Sequence, residues 1–310
     1  MIVTITLNPA LQVRYDAAAV ELGAANRVSR VRHYAGGRGL TVARLLHAFG
    51  HDVVAAGLAG GSAGDQIRAE LARAGVATQF TRIGAESRRA VRIADAATGQ
   101  VTSFEEPAPY ITTEELGRLA ADYRALLDGA EAVVLCGSLP AGLPAETYGS
   151  LISYAAEAGV PVVLNAGGSA LRHGAARSPA LIIPEDPAGA AELAEPSISE
   201  VGLGGPGETA VVVRSGTGVH ATTAAGGWSA AVEPSGGDLP VGGHVADELA
   251  TAQRDALVAG FVPGVALGWS WPDMLRHAVA LTASVTADGE ADLGLYEKLL
   301  ADVSISGPPR

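Results

Sequence analysis

The residue best suited to chemistry is Asp255, which lies in the segment 249–261, LATAQRDALVAGF. A carboxylate can accept a proton from a hydroxyl group, and its neighbours decide what else the site can do. Unpaired backbone N–H groups at the start of a helix bind anions, whereas those inside a helix are already paired. Residues 252–254, Ala-Gln-Arg, are good helix formers. These residues therefore favour one helix over about 244–261, which would place Asp255 in its middle, although a turn before Asp255 stays open.

The elements that must position this residue follow a regular pattern. Short β-branched segments alternate with Ala- and Leu-rich helical segments, which is typical of βαβ units and a mostly parallel sheet. The predicted strands are 2–7, 53–57, 132–136, 160–165, 180–183 and 210–213, and the predicted helices are 40–49, 63–74, 114–127, 145–158, 274–286 and 295–303. Two segments, about 13–34 and 79–104, carry alternating polar residues and are expected to form an antiparallel lid. A single α/β domain over 1–310 is predicted.

Charge and cysteine content exclude several classes of protein. The formal net charge is −12, which argues against a nucleic acid or an anionic membrane as partner. One cysteine, Cys136, excludes a disulfide framework and fits a reducing compartment. No apolar run reaches the length of a membrane span. We expect a cytoplasmic protein that acts on a small molecule.

Several short segments resemble, in the same order, the signatures of ribokinase-like (PfkB) carbohydrate kinases of the 1-phosphofructokinase and tagatose-6-phosphate kinase branch. They are TLNPA at 6–10, Asn26-Arg27, GGRG at 36–39, VAR at 42–44, GSLPAG at 137–142 and DALVAGF at 255–261. The resemblance implies a ribokinase-like three-layer sandwich with a mostly parallel central sheet and a small β-sheet lid. It also implies transfer of the γ-phosphoryl group of ATP, with Mg²⁺, to a hydroxyl of a sugar phosphate or polyol. A homodimer formed through the lid is a further implication.

The resemblance assigns roles to individual residues, with Asp255 as the catalytic base. Arg38 replaces a family lysine that contacts substrate, and Arg88 corresponds to a lid arginine that faces a substrate phosphate. The implied substrate-binding residues are Gln12, Gly36, Gly37, Arg38, Gly39, Thr41, Arg88 and Ser138, and the nucleotide-binding residues are Glu185, Ser215, Gly216 and Gly218. No metal-ligating side chain is predicted.

The chain departs from the family where polar site residues are expected. The family's Gly-Ala-Gly-Asp reads Ala-Gln-Arg-Asp at 252–255. Val241-Gly242-Gly243 resembles the first half of that signature, as though an insertion had split it. The candidates for an anion hole are therefore Gly242 and Gly243, or Ala252 and Arg254 beside the aspartate. Further departures are Gln12 for an aspartate, Thr41 and Ala90 for asparagines, and Ala188 for a glutamate.

Three functions fit these residues. The first is an ATP-dependent sugar-phosphate kinase with Asp255 as base. The second is a catalytically impaired homologue that binds a ligand or regulates a partner, and the third is a kinase with a changed acceptor, such as a cyclitol or amino sugar. A continuous helix over 244–261 favours the second function, whereas a turn immediately before Asp255 favours the first.

Overall fold

The computed structural model describes residues 1–186, 189, 191, 193, 209–215, 218–223, 225–232 and 244–308. The strands are β1 Ile2–Thr6, β2 Ala10–Ala17, β3 Val28–Gly36, β4 Val53–Gly60, β5 Ala77–Ile83, β6 Arg88–Asp95, β7 Val101–Glu105, β8 Ala132–Cys136, β9 Val162–Asn165, β10 Leu181–Ile182, β11 Ala210–Ser215, β12 Gly218–Thr223, β13 Gly226–Val232 and β14 Val303–Ser306. The helices are α1 Arg38–Ala48, α2 Gly61–Arg73, α3 Thr113–Leu127, α4 Thr147–Glu157, α5 Gly168–Ala175, α6 His244–Leu267, α7 Trp271–Ser284 and α8 Leu293–Asp302. The predicted elements are present, with ends that shift by a few residues.

The larger sheet has the strand order β14-β13-β12-β11-β10-β9-β8-β1-β4-β5. Pairing is parallel from β11 to β5 and antiparallel from β11 to β14. Alternate residues of β8 belong to different cores, because Val134 packs with α1, α2, α6 and α7 while Val133 packs with α3, α4 and α5. Helices therefore cover both faces, and the predicted α/β three-layer sandwich is confirmed.

The smaller sheet has the strand order β3-β2-β6-β7 and forms the lid. The β2–β3 and β6–β7 pairs are antiparallel, and β2 pairs with β6 in parallel. The second lid segment starts later than the predicted 79, because β5 pairs with β4 at the edge of the larger sheet. An edge strand with one exposed face has the same polar alternation as a lid strand, so the sequence pattern does not separate the two.

Helix α6 runs without interruption from His244 to Leu267. Of the two alternatives for this segment, the structure has the continuous helix over 244–261, and it continues to Leu267. Since a helix rises about 1.5 Å per residue, Asp255 lies about 16 Å from the first residue of α6. In the parts of the chain that the structure describes, no helix is both long and apolar enough to span a membrane.

Gly260 brings α6 and α7 into close contact. A Cβ at this position would lie 2.4 Å from the Cα of Ala278, so the obstacle is backbone that cannot turn aside. We expect Gly260→Ala to lower the free energy of unfolding by about 1–3 kcal/mol, measured by urea denaturation. Gly117→Ala is the control, because Gly117 lies exposed in α3 and a Cβ added there would meet nothing within 4 Å. That variant is expected to gain about 0.5–1 kcal/mol, and equal effects at both positions would contradict the close packing.

Candidate functional site

The register of the lid strands places a set of polar side chains on one face. Cross-strand partners lie on the same side of a sheet, and every second residue of a strand shares that side. The partners in question are Gln12 with Tyr34 and Ala90, and Arg14 with Arg32 and Arg92. Gln12, Tyr34 and these arginines line a cavity of about 1080 Å³ between the lid and the larger sheet. The lid thus contributes a strongly basic wall.

The opposite wall comes from the carboxyl ends of parallel strands, where α/β folds place their ligands. Asn8 follows β1 and donates a hydrogen bond to Oγ of Ser138, which follows β8, at 3.2 Å. Gly37 precedes α1 with φ of 135°, and a Cβ there would lie 2.9 Å from Cγ2 of Thr6. Only glycine allows this turn, which brings the start of α1 to the cavity.

Asp255 lies at the base of the cavity with 4% of its surface exposed. Burial raises the pKa of its carboxyl group to about 7, although Arg38, the Thr41 hydroxyl and Arg44 all favour the charged form. Its Oδ1 atom has no hydrogen-bond partner among the described residues. A cleft carboxylate with a pKa near neutrality is suited to accept a proton from a hydroxyl group.

The segment of α6 around Asp255 offers no anion hole, because α6 passes through this position as a continuous helix. The N–H groups of Ala252 and Arg254 lie in its interior, where each pairs with the carbonyl group one turn earlier. Ala252 therefore offers no backbone donor, whereas the side-chain cation of Arg254 stays a candidate. The Arg254 side chain donates to Oγ1 of Thr251 at 3.4 Å. The other candidates, Gly242 and Gly243, lie outside the described residues.

Arg38 links the cavity to the predicted nucleotide side. It is the first residue of α1, and its Nη1 atom lies 3.6 Å from Oε1 of Glu185 and 3.5 Å from Oδ1 of Asn165. Burial raises the pKa of the Glu185 carboxyl group, and the charge of Arg38 opposes that shift. Arg38, which was predicted to bind substrate, is thus paired with Glu185, which was predicted to bind the nucleotide.

Most of the predicted substrate residues come together. The cavity lining includes Gln12, Gly36, Gly37, Arg38, Thr41, Arg88, Ser138, Ala252 and Asp255. Gly39 is not part of the lining, because it packs so tightly that a Cβ would lie 2.4 Å from Oγ1 of Thr6. Of the predicted nucleotide residues, Glu185, Ser215 and Gly218 also lie outside the lining. Gly216 is not among the residues that the structure describes.

The sequence patterns did not identify several residues that line the cavity. They are Asn8, Arg14, Arg44, Arg92 and Glu248, all of which line the cavity. The alternation of Gln12 with Arg14, and of Arg88 with Arg92, is a signal that marks one face of two lid strands. Glu248 has no comparable local signal, because its place depends on the length and direction of α6.

Comparison with known proteins identifies the family. The model of the pfkB family of carbohydrate kinases matches residues 10–220. A possible 1-phosphofructokinase from Thermotoga maritima superposes with a TM-score of 0.78 at 22% identity, over 100% of each chain. The tetrameric inhibited form of phosphofructokinase-2 from Escherichia coli gives a TM-score of 0.78 at 23% identity, over 97% of this chain and 98% of that one. With most of its length matched by the family model and the whole fold shared, this chain belongs to the pfkB family of carbohydrate kinases.

Proposed function

We propose that this chain binds a small sugar or polyol beneath the lid but transfers the γ-phosphoryl group of ATP to it only very slowly. The observation that carries this proposal is the unbroken helix α6 at Asp255. Phosphoryl transfer depends on positioning and on stabilising negative charge on the moving group. A helix interior offers no unpaired N–H group for that purpose. Since the loss of one such donor costs about 10²–10³ in kcat, slow or absent transfer is the expected consequence.

Two described carboxylates on the predicted nucleotide side, those of Glu185 and Asp186, each have a protein partner. Mg²⁺ on a nucleotide takes one or two protein carboxylates. Glu185 is paired with Arg38, and Oδ1 of Asp186 accepts a hydrogen bond from the N–H of Gly189 at 2.7 Å. Oε1 of Glu185 accepts no hydrogen bond within the described residues, so this carboxylate is held by its ion pair with Arg38 alone.

Buried polar atoms in the cavity support the binding of a hydroxyl-rich ligand. Oδ1 of Asn8, Oε1 of Gln12, Nε of Arg88 and Oδ1 of Asp255 are buried, and the described residues offer them no hydrogen-bond partner. Buried polar atoms normally have partners, and most of these atoms are acceptors. Because each hydroxyl of a sugar or polyol both donates and accepts, such a ligand satisfies several of them at once.

A kinase with a changed acceptor is the second candidate, and the pKa of about 7 at Asp255 favours it. In that case the base is intact, and the anion hole is supplied by side chains such as Arg254. The residues that differ from the family pattern, Gln12, Thr41 and Ala90, then select an acceptor such as a cyclitol or amino sugar. The homodimer through the lid stays a prediction in either case.

Measurement of ATP consumption separates the two candidates. We expect turnover with sugars, sugar phosphates and polyols to be at least about 10²-fold below that of a pfkB kinase with an intact glycine turn. Thermal shift should still detect binding of at least one sugar or polyol. Turnover at ordinary kinase rates that disappears in Asp255→Asn would overturn the proposal and favour the second candidate. An absence of any sugar or polyol binding would overturn both.

A further inference from the structure

A row of arginines crosses the inner face of the lid. Arg14 on β2 lies in register between Arg32 on β3 and Arg92 on β6. Like charges directly opposite each other on neighbouring strands destabilise a sheet. These three guanidinium groups face the cavity and are only 18–33% exposed, so water screens them incompletely. The arginine row is therefore stable only when negatively charged groups lie beside it.

Glu248 supplies one of these negative charges from outside the lid, and Asp16 of β2 supplies another, with its Oδ1 atom 3.2 Å from Nε of Arg14. Its Oε2 atom lies 3.2 Å from Nη1 of Arg14, and its Oε1 atom lies 3.1 Å from Nη1 of Arg92. The Glu248 side chain is 10% exposed, so the contact is well shielded from water. Arg32 is the member of the row that Glu248 does not reach, and Asp16 and Asp288 lie 3.7 and 3.9 Å from it. One carboxylate thus bridges two arginines, as a phosphate group would.

The part of α6 that precedes Asp255 pairs the backbone N–H groups near that residue, and it also places Glu248 beside the arginine row. The two acidic residues are seven positions apart in α6, which places them on one face of the helix and about 10 Å apart along it. Both line the cavity. If α6 began just before Asp255, no helical residue would reach the arginine row. The row would then be open to an anion from solution.

We propose that the carboxylate of Glu248 occupies the position between Arg14 and Arg92 that the phosphate group of a ligand would take. The cavity then selects an uncharged sugar or polyol over its phosphate ester. This inference rests on the proposed function and narrows its ligand. A phosphate group that approaches Arg14 and Arg92 meets a carboxylate already hydrogen-bonded to both. It must either displace Glu248 or accept a like charge at close range. An uncharged ligand meets neither cost.

Arg88 is a cavity-lining lid arginine whose ion pair with an exposed carboxylate leaves it accessible to an anion. Its Nη1 atom lies 2.7 Å from Oε2 of Glu105, whose side chain is 51% exposed. Exposed ion pairs contribute little stability and are readily exchanged. Arg88 therefore binds an anion weakly by itself, and it becomes part of a stronger site when Glu248 is neutralised.

Isothermal titration of Glu248→Gln with inorganic phosphate and with glucose 6-phosphate tests the inference, and glucose and a cyclitol serve as uncharged probes. The variant keeps the size of the side chain, removes its charge and leaves a single oxygen to accept hydrogen bonds from the two arginines. We expect phosphate and phosphate ester to bind at least about tenfold more tightly than to the wild type, because charged hydrogen bonds are regained. The gain should be specific to the anions, so the ratio of their affinity to that of the uncharged probes should rise. Glu114→Gln is the matched control, since Glu114 pairs with Arg118 on the surface and lies outside the cavity.

The outcomes are distinct from those that test the proposed function. The double variant Arg14→Gln/Glu248→Gln is expected to lose the gain in phosphate binding. Unaltered phosphate binding in Glu248→Gln would overturn the inference. Should that variant fail to fold, the wild type decides, because tighter binding of glucose 6-phosphate than of every uncharged probe contradicts the selection. Failure of all uncharged probes to bind, with a phosphate site gained in the variant, would refute the proposed ligand class and leave the role of Glu248 intact.

Discussion

Replacement of Asp255 by asparagine is expected to stabilise the fold by about 4 kcal/mol at pH 8 and to have almost no effect below pH 4. Burial raises the pKa of this carboxyl group from 3.8 to about 7. Each pKa unit corresponds to about 1.4 kcal/mol, so the charged form costs the folded state about 4 kcal/mol. Because the folded pKa lies above the unfolded one, the folded state binds the extra proton between these values. The contribution of this group to the unfolding free energy is therefore fully present below about pH 4 and is lost as the pH rises through 7.

Urea denaturation of wild type and variant between pH 4 and pH 8 measures this effect. The difference in unfolding free energy isolates Asp255, because the other titrating groups are shared. Asp52→Asn is the control, since Asp52 lies exposed before β4 and should give a difference close to zero throughout. A stabilisation that is the same at every pH would show that the loss of the carboxylate charge is not its cause. Destabilisation at pH 8 would mean that nearby Arg38 and Arg44 stabilise the carboxylate by more than burial costs.

The fold could be predicted from the sequence because its signals are local. Strand β8 is a buried run of apolar residues, and α3 begins at a capping box formed by Thr112 and Glu115. Helix α6 was also predictable, since no glycine or proline interrupts residues 244–259. The start of the lid was not, because β5 and the lid strands share one alternating pattern. Which sheet such a strand joins depends on tertiary pairing, and no local pattern records it.

The candidate site was predictable only in part, for a related reason. Residues of short signatures, such as Gly37, Arg38 and Ser138, are found together in the cavity. The missed residues depend on contacts between elements that are far apart in the chain. Arg14 and Glu248 are separated by 234 positions, and their contact requires both the lid register and the full length of α6. A charged residue on a helix face is usually solvated, so the sequence alone does not predict that Glu248 contacts the lid.

Restoration of the family signature is expected to destabilise the protein without restoring phosphoryl transfer. The variant is Ala252→Gly/Gln253→Ala/Arg254→Gly, which recreates Gly-Ala-Gly-Asp at 252–255. A glycine inside a helix costs about 1 kcal/mol, so two of them should lower the unfolding free energy by about 2 kcal/mol. The hydrogen bond from Arg214 to Oε1 of Gln253, at 2.6 Å, is lost as well. Thermal denaturation and ATP consumption are the two measurements.

The matched control is Gln253→Ala/Arg254→Ala, which removes the two long side chains, keeps the methyl group of Ala252 and keeps strong helix formers in place. Comparison of the two variants isolates the effect of backbone freedom at 252 and 254. Glycine permits a turn here but does not create one, because Glu248 upstream holds its segment of α6 against two lid arginines. The helix N-terminus therefore remains about 16 Å from Asp255, too far for its N–H groups to act on a transferring phosphoryl group. Transfer at least about 10²-fold faster in the glycine variant than in the alanine control would contradict this account. That result would mean that the signature residues alone determine where α6 begins.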